Sequence, residues 1–193
     1  MSRVNDFNRI LTAARVKLPG ALDTQIKSEM FFVIDEFMKD TDIWWEDIDM
    51  PVNTTDKFYD VVPSMGLANS LLEVRDSGDK PISAAMEIPG TIELQTTPAQ
   101  ADTFVAKVGL TVVDPLSNEN LPQFPDWILA QYYPVFLNGV LSRMMATLGK
   151  PYYSPQGAVF HGKNFVAGKS QAMVNSGRKN KSGGQTWRFP KFA

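Results

Sequence analysis

Leu121-Pro122-Gln123-Phe124-Pro125-Asp126-Trp127-Ile128-Leu129 marks the place where the chain changes its periodicity, and the residues on either side of it decide the fold class. Downstream, Trp127, Ala130, Pro134, Leu137, Leu141, Met144 and Leu148 recur at three- and four-residue steps until Gly149-Lys150-Pro151. That is the spacing of one helix face, stopped by a glycine and a proline. Asp126 stands where an N-cap belongs, and Pro134 removes one backbone donor, which bends a helix. Upstream, Phe104, Ala106, Val108, Leu110 and Val112 share one face of a strand over residues 104–113. Residues 91–96 read as another strand. Residues 72–75 enter a hairpin-type turn at Asp76-Ser77-Gly78-Asp79, from which 82–88 returns. Ile48, Met50 and Val52 alternate with Asp47, Asp49 and Pro51, as in a half-solvated strand.

Helix frames this strand-rich middle. Val4, Phe7, Leu11, Ala14 and Leu18 form one apolar face, ended by Pro19-Gly20. Asp23 is placed to cap a second helix with the stripe Ile26, Met30, Val33, Ile34 and Phe37, ending within residues 39–42. Arg3, Arg9 and Arg15 with only Asp6 also fit a transit peptide, but a packed amphipathic helix explains the same periodicity. A fourth helix starts at Ser154-Pro155, cap followed by proline, and runs toward Asn175. Gly157, Gly162 and Gly168 weaken it, so packing has to hold it. The expected architecture is α+β: one domain over 1–176, with about four helices in 1–42 and 126–176 and a β-rich insertion at 43–120. An extended basic-aromatic arm follows at 177–193.

With 193 residues, 44% apolar and 21% charged, the chain has ordinary globular composition and can bury a core without staples. The absence of cysteine excludes disulfides, a thiol nucleophile and thiolate metal sites. The longest apolar run, Met30-Phe31-Phe32-Val33-Ile34, is far short of the roughly 20 residues a membrane span needs. The net charge of −2 hides a division: residues 1–126 carry 10 basic and 21 acidic side chains, whereas 127–193 carry nine basic and none acidic. Such a split speaks to partners, not to fold.

Several motifs invite a chemical reading and each has a plainer one. Gly162 with Ala167-Gly168-Lys169-Ser170 imitates a phosphate loop, but five residues separate Gly162 from the Gly-Lys pair where four are required, and the segment lies in a helix. His161 is the sole histidine; no Gly-x-Ser-x-Gly accompanies it, so a hydrogen-bonded histidine is the simpler account and a small hydrolase the remote one. Asp42, Glu46, Asp47 and Asp49 form an acidic cluster that fits paired carboxylates or a divalent cation, or more simply the solvated face of a strand. Trp44 and Trp45 read as anchors of the helix-to-strand junction. No cofactor is expected.

The basic end has three readings. Arg178, Lys179, Lys181 and Arg188, interleaved with Trp187, Phe189 and Phe192, suit an arm that orders on a neighbouring acidic protein, its rings as anchors. The same residues suit a nucleic-acid backbone with stacked bases. The third is a disordered tail.

The order of parts resembles head-to-tail adaptor proteins of short-tailed bacteriophages, also called tail tubular protein A or head-completion connectors. The likeness lies in two amino-terminal helices, a β-rich insertion, and residues 121–129 opening a long helix. It continues through Gly139-Val140-Leu141-Ser142-Arg143-Met144, Gly149-Lys150-Pro151-Tyr152-Tyr153, residues 160–168 and the ending Arg188-Phe189-Pro190-Lys191-Phe192. The resemblance implies a twelve-fold ring beneath the portal in the virion neck, tail tube or nozzle protein on the other side, and genomic DNA passing through the bore without sequence-specific binding. It assigns Trp187, Arg188, Phe189 and Phe192 to the portal contact. An acidic remainder suits a bore that must not retain DNA, since lysines there would displace counterions and hold the strand.

Overall fold

The computed structural model describes residues 3–113 and 123–179, with side chains over 7–113 and 123–177. The elements run α1 (Arg3–Lys17), α2 (Asp23–Thr41), β1 (Trp45–Val52), β2 (Phe58–Asp60), β3 (Leu67–Arg75), β4 (Ala84–Ile88), β5 (Thr91–Leu94), β6 (Asp102–Thr111), α3 (Asp126–Met145) and α4 (Pro155–Lys179). The class is α+β, with four helices and two small antiparallel sheets among the described residues.

The first two helices follow the periodicity. Phe7, Leu11, Ala14 and Leu18 are buried, as are Ile26, Met30, Val33, Ile34 and Phe37. Asp23 does not cap α2: Leu22 holds the cap position without a side-chain bond, and Asp23 is the first helical residue. Its carboxylate accepts from the Arg15 guanidinium instead, at 2.7 Å from Nε. Asp42 closes α2 in the left-handed region (φ 45°), its N–H bonded to the Met38 carbonyl.

In the first sheet β6 lies between β1 and β3. Ile48 faces Ala106 and Met50 faces Phe104. The alternating set Phe104, Ala106, Val108, Leu110 and Val112 is buried to the last member, while Asp47 and Asp49 of β1 are exposed. The plain reading of that acidic strand therefore holds. Gly66, just before β3, has φ +80°, and a Cβ there would lie 2.6 Å from both the Thr111 carbonyl oxygen and the Trp44 ring. Only glycine fits that turn. Trp44 is buried over it, as an anchor should be, whereas Trp45 is part-exposed with the Lys107 ammonium 3.7 Å above its ring.

The hairpin expectation is half right. Asp76 Oδ1 accepts the Gly78 and Lys80 N–H groups, both at 2.9 Å, and so makes the turn. Pairing lasts only through the Arg75–Pro81 bridge and the Ile82 N–H to Val74 carbonyl bond of 2.8 Å. β4 then leaves β3 and pairs with β5, in a second sheet ordered β2-β5-β4.

Two corrections concern α3. Pro125, not Asp126, occupies the cap position, and the helix ends at Met145, before Leu148. The buried residues include Ile128, Leu129, Tyr132, Phe136, Val140, Leu141 and Met144, while Trp127, Ala130, Pro134 and Leu148 are exposed. Leu141 and Met144 thus lie inside as the spacing suggested, while the first half of the inward sector is turned from it. The cause is that α3 touches α1, α2 and α4 at once, so apolar residues serve three directions. Phe37 of α2 is wholly buried against the rings of Phe136 and Tyr132, with centroids 4.9 and 5.0 Å away.

Candidate functional site

α4 begins as its sequence indicates, with the Ser154 hydroxyl accepting the Gly157 N–H at 3.2 Å and Pro155 in the first turn. It continues four residues past Asn175, to Lys179. His161, Phe165, Ala172 and Ser176 are buried on its inner side. The glycines explain how so weak a helix former survives. A Cβ on Gly157 would meet Met145 Sδ at 2.8 Å, one on Gly162 the Ser142 hydroxyl at 2.9 Å, and one on Gly168 the Val135 side chain at 2.5 Å. Gly139 on α3 does the same toward Val33, at 2.5 Å. At Gly168 the two helices approach so closely that the stiff Val135 side chain leaves room for hydrogen alone, and close contact compensates for propensity.

The outer side of α4 is apolar as well. Val159, Phe160, Val166 and Met173 are each more than half exposed, at 58%, 62%, 56% and 52%. Val159 and Val166, with Ala146 of α3 and Gly162, line an open groove of about 660 Å³ between α3 and α4. A row of large apolar residues this exposed along one helix is the composition of a contact surface. The sequence carried a sign of it, because these residues lie off the buried stripe yet are not polar.

Charge divides along the fold. Residues 43–113 hold eleven acidic and four basic side chains, whereas 123–179 hold six basic ones and the single acid Asp126. α4 has no acidic residue at all. One of its cations is committed internally: Lys169 Nζ lies 2.6 Å from both Glu36 and Asp40 of α2. Burial works against that ammonium, but the bonds to Asp40 and Glu36 outweigh it and raise its pKa above the usual lysine value. Arg143 of α3 reaches Glu29 of α2 at 2.5 Å and Glu36 at 3.7 Å. The acidic row of α2 therefore clamps α3 and α4 in place. Lys169 cannot serve a phosphate, and Gly162 to Ser170 lie within α4 and form no loop.

His161 Nδ1 is 2.7 Å from Asn138 Oδ1, and the Asn138 amide donates to the Pro134 carbonyl at 2.8 Å. The amide orientation makes Nδ1 the protonated nitrogen, so the ring is held by a neutral hydrogen bond. Burial lowers the pKa of His161, and Lys17 lowers it further. A depressed folded-state value means that the unfolded chain binds the proton more readily, so this group's stabilisation is complete above pH about 6.5 and is lost as pH falls through the folded pKa. Thermal melts are expected to show a loss of stability between pH 7.5 and 5 that is smaller in His161→Gln. Equal losses in both proteins would remove His161 as the cause.

The partner-binding residues named from the sequence fall at or beyond the end of this helix. Arg178 and Lys179 are the last two residues of α4, with side chains outside the described set, and Lys181, Trp187, Arg188, Phe189 and Phe192 lie outside the described residues. Among the described residues no three His, Asp or Glu side chains converge to hold a metal ion, and no helix is long and apolar enough to cross a membrane. No protein-family model matches this chain, and no curated protein does.

Proposed function

We propose that this chain is a structural head-to-tail adaptor of a bacteriophage virion, a protomer of a ring, of twelve copies by the resemblance, that joins the portal to the tail and lines the DNA channel. The observation that carries the reading is the two-sided burial of α4. Its inner side is packed tightly enough to require glycines, while Val159, Phe160, Val166 and Met173 on its outer side are left to solvent. A neighbouring protomer would cover that row, and apolar anchors would supply the affinity while charge sets encounter rate and register. The basic end beyond α4 suits an acidic portal surface. The acidic 43–113 region suits the tail side and a bore that lets DNA slide. The mechanism is assembly by mass action, without bond chemistry.

Mass in solution, measured with and without purified portal, tests this. A complex with portal and a multiple of the 21.5 kDa protomer mass are expected. A chain that stays monomeric, ignores portal and shifts DNA at ordinary salt would replace the proposal with a nucleic-acid-binding protein. Deleting residues 185–193 is expected to leave the melting temperature unchanged and to weaken portal attachment by about tenfold or more, since it removes the three rings Trp187, Phe189 and Phe192. A folded truncation that still completes heads would refute the assignment of Trp187, Arg188, Phe189 and Phe192.

A further inference from the structure

Among the described residues, the large apolar side chains that the helices leave exposed are shared unevenly. α1 has Val16, α2 has Phe32 and α3 has Trp127, one each, whereas α4 has Val159, Phe160, Val166, Met173 and Val174. Their spacing on α4 is regular. Val159, Val166 and Met173 stand seven residues apart, and so do Phe160, Ala167 and Val174 beside them. A straight helix drifts by about 20° over each seven residues. A row that recurs at seven therefore stays in contact with a second helix laid along it at a shallow, left-handed crossing. Ala167 and Ser170, both small and exposed, leave room along the row for that approach. The charge of the row is simple. α4 has no acid, Lys169 is clamped to α2, and Lys163 is the exposed cation beside the row.

We infer that the free protein is a two-fold dimer in which the α4 rows of two copies cover each other, antiparallel, about an axis between Val166 and Ala167. The other helices offer one exposed large apolar residue each, so within this chain a second α4 is the helix with a row to match. A two-fold contact needs a patch that is its own complement, residue i meeting j while j meets i. The α4 row meets that condition. Turned about the stated axis, Val159 comes opposite Val174, Phe160 opposite Met173 and Val166 opposite Ala167, so that every apolar member of the row meets another. Charge selects the direction. Parallel pairing in register would set the two Lys163 ammoniums side by side, with no acid on α4 to answer them. Antiparallel pairing puts Lys163 opposite Ser170 and moves the two ammoniums about 10 Å apart along the axis, close to one screening length at ordinary salt. In a ring of cyclic symmetry neighbours are not related by a two-fold, so the rows must part and pass to a different surface of the next protomer. The dimer is then the form that precedes ring closure. That last consequence rests on the adaptor reading, whereas the dimer does not.

The chain has no cysteine, so single thiols can be introduced cleanly into the full-length protein at exposed positions of the row. Val159→Cys mixed with Val174→Cys, oxidised without portal, is expected to form the 159–174 disulfide between chains at least about tenfold faster than Val159→Cys alone forms 159–159. Pairing raises the local concentration of the two thiols in the mixture, whereas two copies of residue 159 would lie roughly 22 Å apart along the axis, beyond the reach of a disulfide. A 159–159 disulfide that forms as fast as 159–174 or faster overturns the inference, in favour of parallel pairing if both 159–159 and 173–173 are rapid. Equally slow formation in every case overturns it in favour of a cover that is not α4. Independently, Ser170→Glu is expected to tighten the dimer by about threefold or more in sedimentation equilibrium, because each new carboxylate would face Lys163 of the other copy. Unchanged or weaker dimerisation overturns the antiparallel register. Neither measurement involves portal, so a negative result here leaves the adaptor reading standing, and failure to bind portal leaves the dimer standing.

Discussion

Replacing Phe37 with alanine is expected to cost about 3–5 kcal/mol of folding stability, the range for removing a large aromatic side chain from a closed core. Phe37 has no exposed surface and holds α2 to α3 through two ring contacts, an edge-on one to Phe136 and a tilted one to Tyr132. The cavity would open on the line where α3 is already committed to α1 and α4, so the neighbouring helices have little freedom to collapse into it. For a chain of this size the loss corresponds to roughly 2–4 °C in melting temperature per kcal/mol. Urea denaturation should show a lower midpoint with an unchanged slope. Phe37→Leu should keep most of the lost stability. A change below about 1 kcal/mol in Phe37→Ala would mean that the ring cluster does not join the helices.

Val166→Glu should do the reverse, leaving the protomer intact and removing the ring. Val166 is 56% exposed on the outer side of α4, so a carboxylate there stays in water in the isolated chain and should change stability by no more than about 0.5 kcal/mol. In an assembled ring the same carboxylate would be buried against a neighbour. An uncompensated buried charge costs about 3–5 kcal/mol, which weakens each contact by roughly a hundredfold to several thousandfold. Sedimentation of the variant should give protomer at concentrations where the parent assembles. Rings at parent concentrations would show that the α4 row is not the subunit contact, and the proposed function would lose its main support.

Elements with one buried side and one wet side were legible from the sequence, and those with more than one buried side were not. α1, α2, β1 and the first half of β6 each face the core along a single stripe, so their period gives both the element and the residues that lie inside, whereas Val108 to Thr111 of β6 are buried on both faces. α3 is apolar on nearly every side because three helices press on it, and a three-four spacing can be drawn through it along several lines. The line through Trp127, Ala130 and Pro134 has the right period and the wrong direction. The cap at Asp23 failed for a different reason. A carboxylate that suits a backbone N–H suits Arg15 equally, and a residue eight positions away is invisible to local patterning. The glycines of α4 looked like a weakness because their benefit lies on α3, at Val135, Ser142 and Met145. For the candidate site, the charge division was plain from composition, but the exposed row on α4 depends on what packs where.

The glycine-dependent seating of α4 also has a mechanical consequence. A helix of 25 residues is held straight by its neighbour more than by its own backbone preference, so a pull on the chain beyond Lys179 would peel it from α3 one turn at a time. Unwinding from a rise of about 1.5 Å per residue to about 3.4 Å would release close to 50 Å of slack. A protomer loaded through that end would lengthen as α4 unwinds.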